Sequence, residues 1–261
     1  SRSQHHSRNP IVRLEDLVRY CDELLDTRNI RDAPEAWNGL QVANSGEVSR
    51  IAAAVDLCAA TVRMAGERGA DFLIVHHGLF WGGPRPLVGP QLERVAGLLR
   101  QNIALYGSHL PLDCHPELGN AAVIARELGI ASRGVFGTWR EQPFGMWGEV
   151  DMSRQDLGDR LTRLLGTAPK AMLFGPTLVR RVGIATGAGG SLILQAAAAG
   201  LDTLITGEGN HHTFFDAEEL RINVYYGGHY ATETFGVKAL AQHLGTKFDL
   251  PWEFLDHPTG L

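Results

Sequence analysis

The sequence predicts an α/β fold of two related lobes, each with a mainly parallel sheet covered by helices. One observation is that short apolar runs alternate with helix-like segments along the 261 residues. The other is that their order repeats: residues 51–55 match residues 182–186, and residues 69–74 match residues 200–205, both at an offset of 131. A third pair of strands matches at an offset of 120. Such a repeat indicates a duplicated unit.

The elements follow from the local patterns. Residues 12–25 have the apolar spacing of an opening amphipathic helix. Apolar runs too short for stable helices predict strands at residues 51–56, 72–75, 103–106, 182–186, 203–206 and 223–226. Helical periodicity follows each of them, at residues 59–68, 91–100, 117–128, 191–199, 212–220 and 231–244.

The alternation places a first lobe at residues 11–129 and a second lobe at residues 177–261. Residues 130–176 carry Gly and Pro and are less regular, so we interpret them as a connecting segment. Residues 1–10 are interpreted as a disordered tail or a cloning remnant, and His5 and His6 are given no role.

Composition narrows the function classes. Hydrophobic residues make up 44% of the chain, enough for a substantial core. The three cysteines are far apart and indicate neither a disulfide framework nor a thiolate zinc site, which favours the cytoplasm. A net charge of -5 without a dense Lys/Arg run weakens attraction to nucleic acid without excluding it. The sequence shows neither a membrane-length apolar run nor the apolar segment of a signal peptide at its start.

Two strand ends share one spacing of potential metal ligands. His109 is followed four residues later by Asp113, and His229 is followed four residues later by Glu233. Both pairs come after a Tyr-Gly step that ends an apolar run. Because parallel strands bind ligands at their carboxyl ends, we expect these groups to meet at a metal site between the lobes.

A third strand end carries adjacent histidines, His76 and His77, before Gly78. Neighbouring side chains on a strand point to opposite sides, so one of the two rings packing in the core is the alternative interpretation. A turn at Gly78 frees both rings, and we favour metal ligation. Each imidazole then serves one ion of a pair.

The other polar candidates leave alternatives open. Asp113 and Glu233 suit helix starts, but their matched spacing favours carboxylates that bridge two ions. His109 has three candidate roles: to ligate, to orient Asp113 or to move a proton. Glu208 and His212 are four residues apart, a spacing that suits one helical turn, and they fit either a solvated helix start or a general base beside the metals.

At these positions the chain resembles the Nif-three-like dinuclear metal-centre proteins, often labelled GTP cyclohydrolase 1 type 2 homologues. The resemblance runs from about Val12 to the C-terminus. Its motifs are His76-His77-Gly78, His109 to Asp113 with Gly119-Asn120, Gly207-Glu208, Gly228 to Glu233, and a shortened Trp-containing segment from Trp37 to Val42. Asp56 is followed by Leu57-Cys58, where the family often has a threonine.

The resemblance implies that two divalent ions per chain are held by His76, His77, Asp113, His229 and Glu233. It also implies that the two lobes are intertwined and that the protein forms a toroidal homohexamer with the metal sites facing an internal cavity. Zinc, iron and manganese all suit such a mixed site.

The function expected is that of a metal-dependent hydrolase, in a GTP cyclohydrolase-like version or one acting on a phosphate ester or another small metabolite. Glu208, His109 and His212 are the candidates for proton transfer. The alternative is a metal-bearing hexameric scaffold or regulatory protein that binds a protein or a nucleic acid.

Overall fold

The computed structural model describes residues 10–261. The predicted tail, with His5 and His6, thus lies outside the described residues apart from Pro10. The fold is α/β, as predicted. The chain forms two compact units and passes between them repeatedly. The first unit contains residues up to Thr27, Pro34–Ser108 and Leu240–His257, and the second contains Arg28–Ala33, His109–Ala239 and Pro258–Leu261.

The first unit is built around a five-stranded sheet. Its elements are β1 (Val12–Arg13), α1 (Leu14–Leu24), β2 (Gly39–Val42), β3 (Glu47–Val48), β4 (Ile51–Asp56), α2 (Ala59–Glu67), β5 (Phe72–His77), α3 (Gly89–Arg100), β6 (Ala104–Gly107) and, after a long insertion, β13 (Trp252–Phe254). The sheet order is β13-β4-β5-β6-β2. Only β2 runs antiparallel to its neighbour. β1 and β3 form a separate two-stranded sheet.

The apolar strands β4 and β5 are buried throughout except at their last residues, Asp56 and His77. This is the pattern of central parallel strands covered on both faces. Leu73, Val75 and Leu105 of the sheet pack with Val62 and Leu98 of the helices α2 and α3 in one apolar cluster. The core therefore fixes β4, β5 and β6 and leaves their carboxyl ends for polar side chains.

The second unit is built around a six-stranded sheet. Its elements are α4 (Leu110–Asp113), α5 (Asn120–Leu128), β7 (Ala131–Trp139), β8 (Gln142–Ser153), α6 (Arg154–Leu165), β9 (Lys170–Leu173), β10 (Leu178–Ile184), α7 (Ile193–Ala198), β11 (Thr203–Thr206), α8 (Thr213–Glu219), β12 (Asn223–Tyr226) and α9 (His229–Thr232). The helix α10 (Thr234–Phe248) begins in this unit and ends in the first.

The six strands lie in the order β7-β8-β10-β11-β12-β9. β10, β11 and β12 are parallel, whereas β7, β8 and β9 are antiparallel to their neighbours. This sheet is therefore mixed rather than mainly parallel. Ile124 and Leu128 of α5 and Leu157 of α6 pack with the β-strand residues Val182 and Ile205 in one buried cluster.

The strand register supports the predicted duplication. Ile51 pairs with Phe72 in the first unit, and Val182 pairs with Thr203 in the second, an offset of 131 at both positions. The offset of 120 predicted for the third strands is wrong by one residue. Phe72 pairs with Ala104 and Thr203 with Asn223, so in register Ala104 corresponds to Asn223. A match between His109 and His229 therefore requires one extra residue after β12.

A hydrogen-bonding contact of an aspartate side chain is also repeated. The Asp71 carboxylate accepts hydrogen bonds from the backbone N–H groups of Ser49 (2.9 Å) and Arg50 (3.0 Å). Asp202 accepts them from Arg180 (2.9 Å) and Arg181 (2.8 Å), again at an offset of 131. The two aspartates satisfy backbone donors at positions that correspond at this offset, so the repeat extends to side-chain chemistry.

The predicted boundaries differ from the two units. Residues 109–129 group with the second unit and residues 240–257 with the first. The segment predicted as a connector, residues 130–176, forms β7, β8, α6 and β9. Its glycines serve close strand packing: a Cβ on Gly145 would meet the Ile184 carbonyl at 2.3 Å, and one on Gly148 would meet the Ala131 carbonyl at 2.4 Å.

Within residues 10–261, we find no helix with both the length and the apolar character that crossing a membrane requires.

Candidate functional site

The adjacent histidines of the first unit lie at the carboxyl end of β5. His76 is 1% exposed, and its Nδ1 lies 2.9 Å from the Ser108 carbonyl oxygen. A carbonyl can only accept, so Nδ1 carries the proton and donates it. This bond places the lone pair of the neutral ring on Nε2, the atom that could ligate a metal.

His77 is held by a carboxylate. Its Nδ1 lies 2.7 Å from Oδ1 of Asp56, which pairs with it in register at the end of β4. The Trp81 ring meets the imidazole edge-on, and the two ring centroids are 5.9 Å apart. Hydrogen bonding of this kind fixes both the tautomer and the orientation of a ligating imidazole. Sequence analysis missed this role of Asp56.

The second unit places His229 between two carboxylates. Its Nδ1 lies 2.6 Å from Glu208 Oε1, and its Nε2 lies 3.1 Å from Glu233 Oε2. Glu208 follows β11, whereas His229 begins the single turn of α9 after β12 and Glu233 follows that turn. Glu233 is 3% exposed, so its charge is removed from water and stabilised by the imidazole.

These carboxylates change the acid–base behaviour of His229. The hydrogen bond to Glu233 is the main cause that raises its pKa from 6.5 to about 9. Partial burial opposes the shift, while the charge of Glu233 and the hydrogen bond and charge of Glu208 add to it. In the metal-free protein His229 is therefore an imidazolium at neutral pH.

Gly187, which follows β10, closes this group from one side. Its φ is +72°, and an added Cβ would lie 2.4 Å from Glu233 Oε1 and 3.3 Å from His229 Nε2. Its carbonyl accepts hydrogen bonds from the N–H groups of Gly207 (3.0 Å) and Glu208 (2.9 Å). The absence of a side chain thus leaves room for the carboxylate of Glu233.

Asp113, the last residue of α4, is 7% exposed. Its Oδ1 accepts a hydrogen bond from Asn120 Nδ2 at 2.8 Å. The orientation of the Asn120 amide is set in turn by Gly236, whose N–H donates to Asn120 Oδ1 at 2.7 Å. The amide therefore fixes one oxygen of Asp113.

His109 is oriented by a residue that sequence analysis missed. Its Nδ1 lies 2.9 Å from Asp32 Oδ1, and the other oxygen of Asp32 accepts from the Leu110 N–H at 2.9 Å. The Trp139 ring meets the imidazole edge-on with centroids 6.1 Å apart. Asp32 fixes the Nδ1–H tautomer, which leaves Nε2 for ligation or proton transfer.

The predicted helical pairing of Glu208 with His212 is wrong. Glu208 lies in the loop after β11, and α8 begins at Thr213, so the two residues are not on one helical turn. Glu208 is engaged with His229, while the side chain of His212 is exposed at the start of α8.

The donor set fits a divalent metal ion. Imidazole and carboxylate groups suit zinc, iron and manganese. Histidine and glutamate side chains, among them His76, His77, His229 and Glu233, form groups that could hold an ion. The first three of these hold Nδ1 against an acceptor, so Nε2 is the nitrogen that could ligate an ion.

The chain matches the Duf34/NIF3 (NGG1p interacting factor 3) family over residues 12–259. It belongs to this family. The motifs that suggested the resemblance thus lie within a match that spans nearly the whole chain.

Curated relatives agree with this assignment. A "GTP cyclohydrolase 1 type 2 homolog" of Deinococcus radiodurans is 43% identical, with 95% of this chain and 94% of the relative covered. A protein of the same name from Escherichia coli K12 is 40% identical, with 93% and 97% covered.

Solved structures share the fold. A protein from Thermus thermophilus is 43% identical, with a TM-score of 0.87 over 96% of this chain and 100% of its own. The structure of protein ybgI, described as of unknown function, has a TM-score of 0.89 at 38% identity over the same shares.

Replacing Gly187 by alanine should disrupt the His229 and Glu233 group, since the methyl group occupies the position of the Glu233 carboxylate. We expect metal content to fall while the circular dichroism spectrum is retained. Gly166→Ala is the matched control: its φ is +77° and nothing lies within 4 Å of the added Cβ. Equal metal content in both variants would contradict the proposed packing.

The His229 imidazole of the metal-free protein should titrate near pH 9 by NMR. Because its pKa is raised on folding, its contribution to stability is complete below about pH 6.5 and is lost as pH rises through about 9. Metal uptake between these values should release a proton, measurable by calorimetry in buffers of different ionisation enthalpy. A titration midpoint at or below pH 6.5 would contradict the hydrogen bonds of His229 to Glu208 and Glu233.

Glu208→Ala should weaken metal binding by about 10–100-fold, because it removes the group that orients His229. Glu208→Gln should weaken it much less, since the amide oxygen still accepts from Nδ1. Glu219→Ala, an exposed acid on α8, controls for the lost charge. The measurement is competition with a chelator of known affinity, and equal losses in the two Glu208 variants would favour a purely electrostatic role.

Proposed function

We propose that this protein is a metal-dependent hydrolase with two divalent ions per chain, held by His76, His77, Asp113, His229 and Glu233. One observation supports it above the others. The three histidines of this set each hold Nδ1 within 2.9 Å of a carbonyl or carboxylate oxygen. This arrangement presents Nε2 to a metal in a fixed direction.

When bound, such ions lower the pKa of water and polarise the bond under attack. The chain's own groups then position and move protons. Asp113 and Glu233 are buried carboxylates with two oxygens each, which suits them to bridge two ions. His109, with Nδ1 held by Asp32, is the proposed proton carrier through Nε2.

The contacts of the three candidates for proton transfer support a ranking among them. Glu208 holds His229, so we assign it first to orientation. His109 has a buried carboxylate partner, because the side chain of Asp32 is only 4% exposed. This partner holds the proton on Nδ1, so Nε2 is the atom that takes up or releases a proton. His212 is exposed and ranks last.

The proposed substrate class is a small nucleotide-like molecule. The curated relatives carry the name of a GTP cyclohydrolase homologue, and this supports a purine ring as the first substrate to test. Phosphate esters form the second set. Zinc, iron and manganese all suit the mixed histidine and carboxylate donors.

A metal-bearing scaffold is the second candidate, as a homohexamer that binds a protein or nucleic-acid partner. One surface favours it: Phe214 and Phe215 on α8 are 41% and 49% exposed. The Phe214 ring lies 5.2 Å from that of Phe174 and 5.5 Å from that of Phe215. Exposed aromatic clusters mark interaction surfaces.

The deciding experiment reconstitutes the metal-free protein with zinc, iron or manganese and screens it against GTP, other nucleotides and phosphate esters. Turnover that depends on the metal supports the hydrolase. Two tightly bound ions without turnover of any of these substrates would favour the scaffold.

Asp113→Ala and Glu233→Ala should each lose both ions together, because a bridging carboxylate belongs to both coordination spheres. Elemental analysis after desalting should give well under one ion per chain, against about two for the unaltered protein. Glu93→Ala, an exposed acid on α3, is the control and should keep both ions. If the two site variants retain two ions, neither residue is the bridge.

A further inference from the structure

Trp37 of the first unit has an unusual backbone conformation. Its φ is +44°, in the left-handed region that bulky residues rarely adopt. Its side chain is nevertheless 56% exposed, so burial of the indole does not explain the conformation. Strained residues of this kind persist where their surroundings hold them, and they cluster at functional sites.

Gln41 holds this backbone. Its Nε2 donates to the carbonyl oxygens of Ala36 and Trp37, both at 3.0 Å. Its Oε1 accepts from the Leu79 N–H at 2.8 Å. Both ends of the amide are thus engaged, and they tie Trp37 to the segment that follows β5.

The sheet is shaped to admit this side chain. The register of β2 against β6 shifts between Leu40 and Val42, which makes Gln41 the bulged residue. A Cβ on Gly78 or Gly107 would lie 2.3 Å or 2.5 Å from the Gln41 amide. Two glycines and a bulge therefore make room for one amide.

Two aromatic residues after β5 contact Trp37 and His77. The Phe80 ring lies 5.4 Å from the Trp37 ring at a tilt of 48°. Trp81, the next residue, meets the His77 imidazole edge-on at 5.9 Å. Phe80 and Trp81 are consecutive residues, so one short segment of the first unit contacts both the exposed indole and a candidate metal ligand.

We propose that Trp37 is a stacking platform for the planar heteroaromatic ring of a nucleoside-type substrate, rigidly positioned by Gln41 relative to His76 and His77. The inference rests on the proposed hydrolase function and adds a substrate-binding residue to it. Stacking on an exposed indole suits any base, because every base has a π-face.

A small ligand fits this surface better than a nucleic acid does. The chain carries a net charge of -5, so it lacks the overall positive charge that typically drives binding to a polyphosphate chain. The platform also presents a single exposed indole, enough for one ring. The hydrogen bonds from Gln41 offset the strain at Trp37 and give the indole a defined position.

Binding to the metal-free full-length protein tests the proposal separately from hydrolysis. Guanosine monophosphate is titrated by equilibrium dialysis, and ribose 5-phosphate serves as the ring-free probe. Trp37→Ala should weaken nucleotide binding by about five- to hundredfold, the range for loss of one base stack. Trp37→Phe should keep most of the affinity, because it retains an aromatic face.

Two further measurements locate the ring. Ligand-induced quenching of tryptophan fluorescence should be smaller in Trp37→Phe than in the unaltered protein, although dialysis still detects binding. Leu99→Ala removes another exposed apolar side chain, 61% exposed on α3, and should change neither measurement. Circular dichroism checks the fold of every variant.

Unchanged nucleotide affinity in Trp37→Ala overturns the platform. So does ribose 5-phosphate that binds as tightly as the nucleotide. A third contradicting result is that the unaltered protein binds no nucleotide at millimolar concentration. The hydrolase proposal fails differently. In that case Trp37-dependent binding is intact, yet the metal-reconstituted protein turns over no substrate.

Discussion

The parallel register of the central strands is the constraint on which the candidate site depends. Because Asp56 and His77 are paired residues at the ends of β4 and β5, their side chains lie on the same face and within hydrogen-bonding distance. The same parallel arrangement in β11 and β12 brings the loops that carry Glu208 and His229 together. Ligand orientation is thus a direct result of how buried strands pair, and a register slip would remove it.

The central elements could be predicted because their sequence pattern has one physical cause. Strands such as Ile51–Asp56 and Thr203–Thr206 are almost completely buried, and their interior residues are therefore apolar. The antiparallel strands β7 and β8 escaped prediction because β7 is largely exposed and glycines interrupt both. Those glycines permit backbone contacts with neighbouring strands, and local sequence carries no sign of the neighbour.

The candidate site could likewise be predicted only in part from the sequence. The histidines and carboxylates with metal-ligand spacing could be found from short motifs. Their orienting partners could not, because Asp32 is 77 residues from His109 and Asp56 is 21 residues from His77. Only the fold brings each pair together. An acidic residue before a turn is too common to single out Asp32 or Asp56 from the sequence.

The two units differ in the polar side chains at the ends of equivalent strands. At the offset of 131, His76 and His77 correspond to Gly207 and Glu208, so one unit contributes adjacent imidazoles where the other has a carboxylate. In the second unit, the raised pKa of His229 means that a proton binds the nitrogen that faces Glu233 when no metal is present. This proton supplies the positive charge that a buried carboxylate requires. The imidazolium therefore holds these side chains together without a metal, and under the proposed function a bound ion would replace this proton as the source of positive charge.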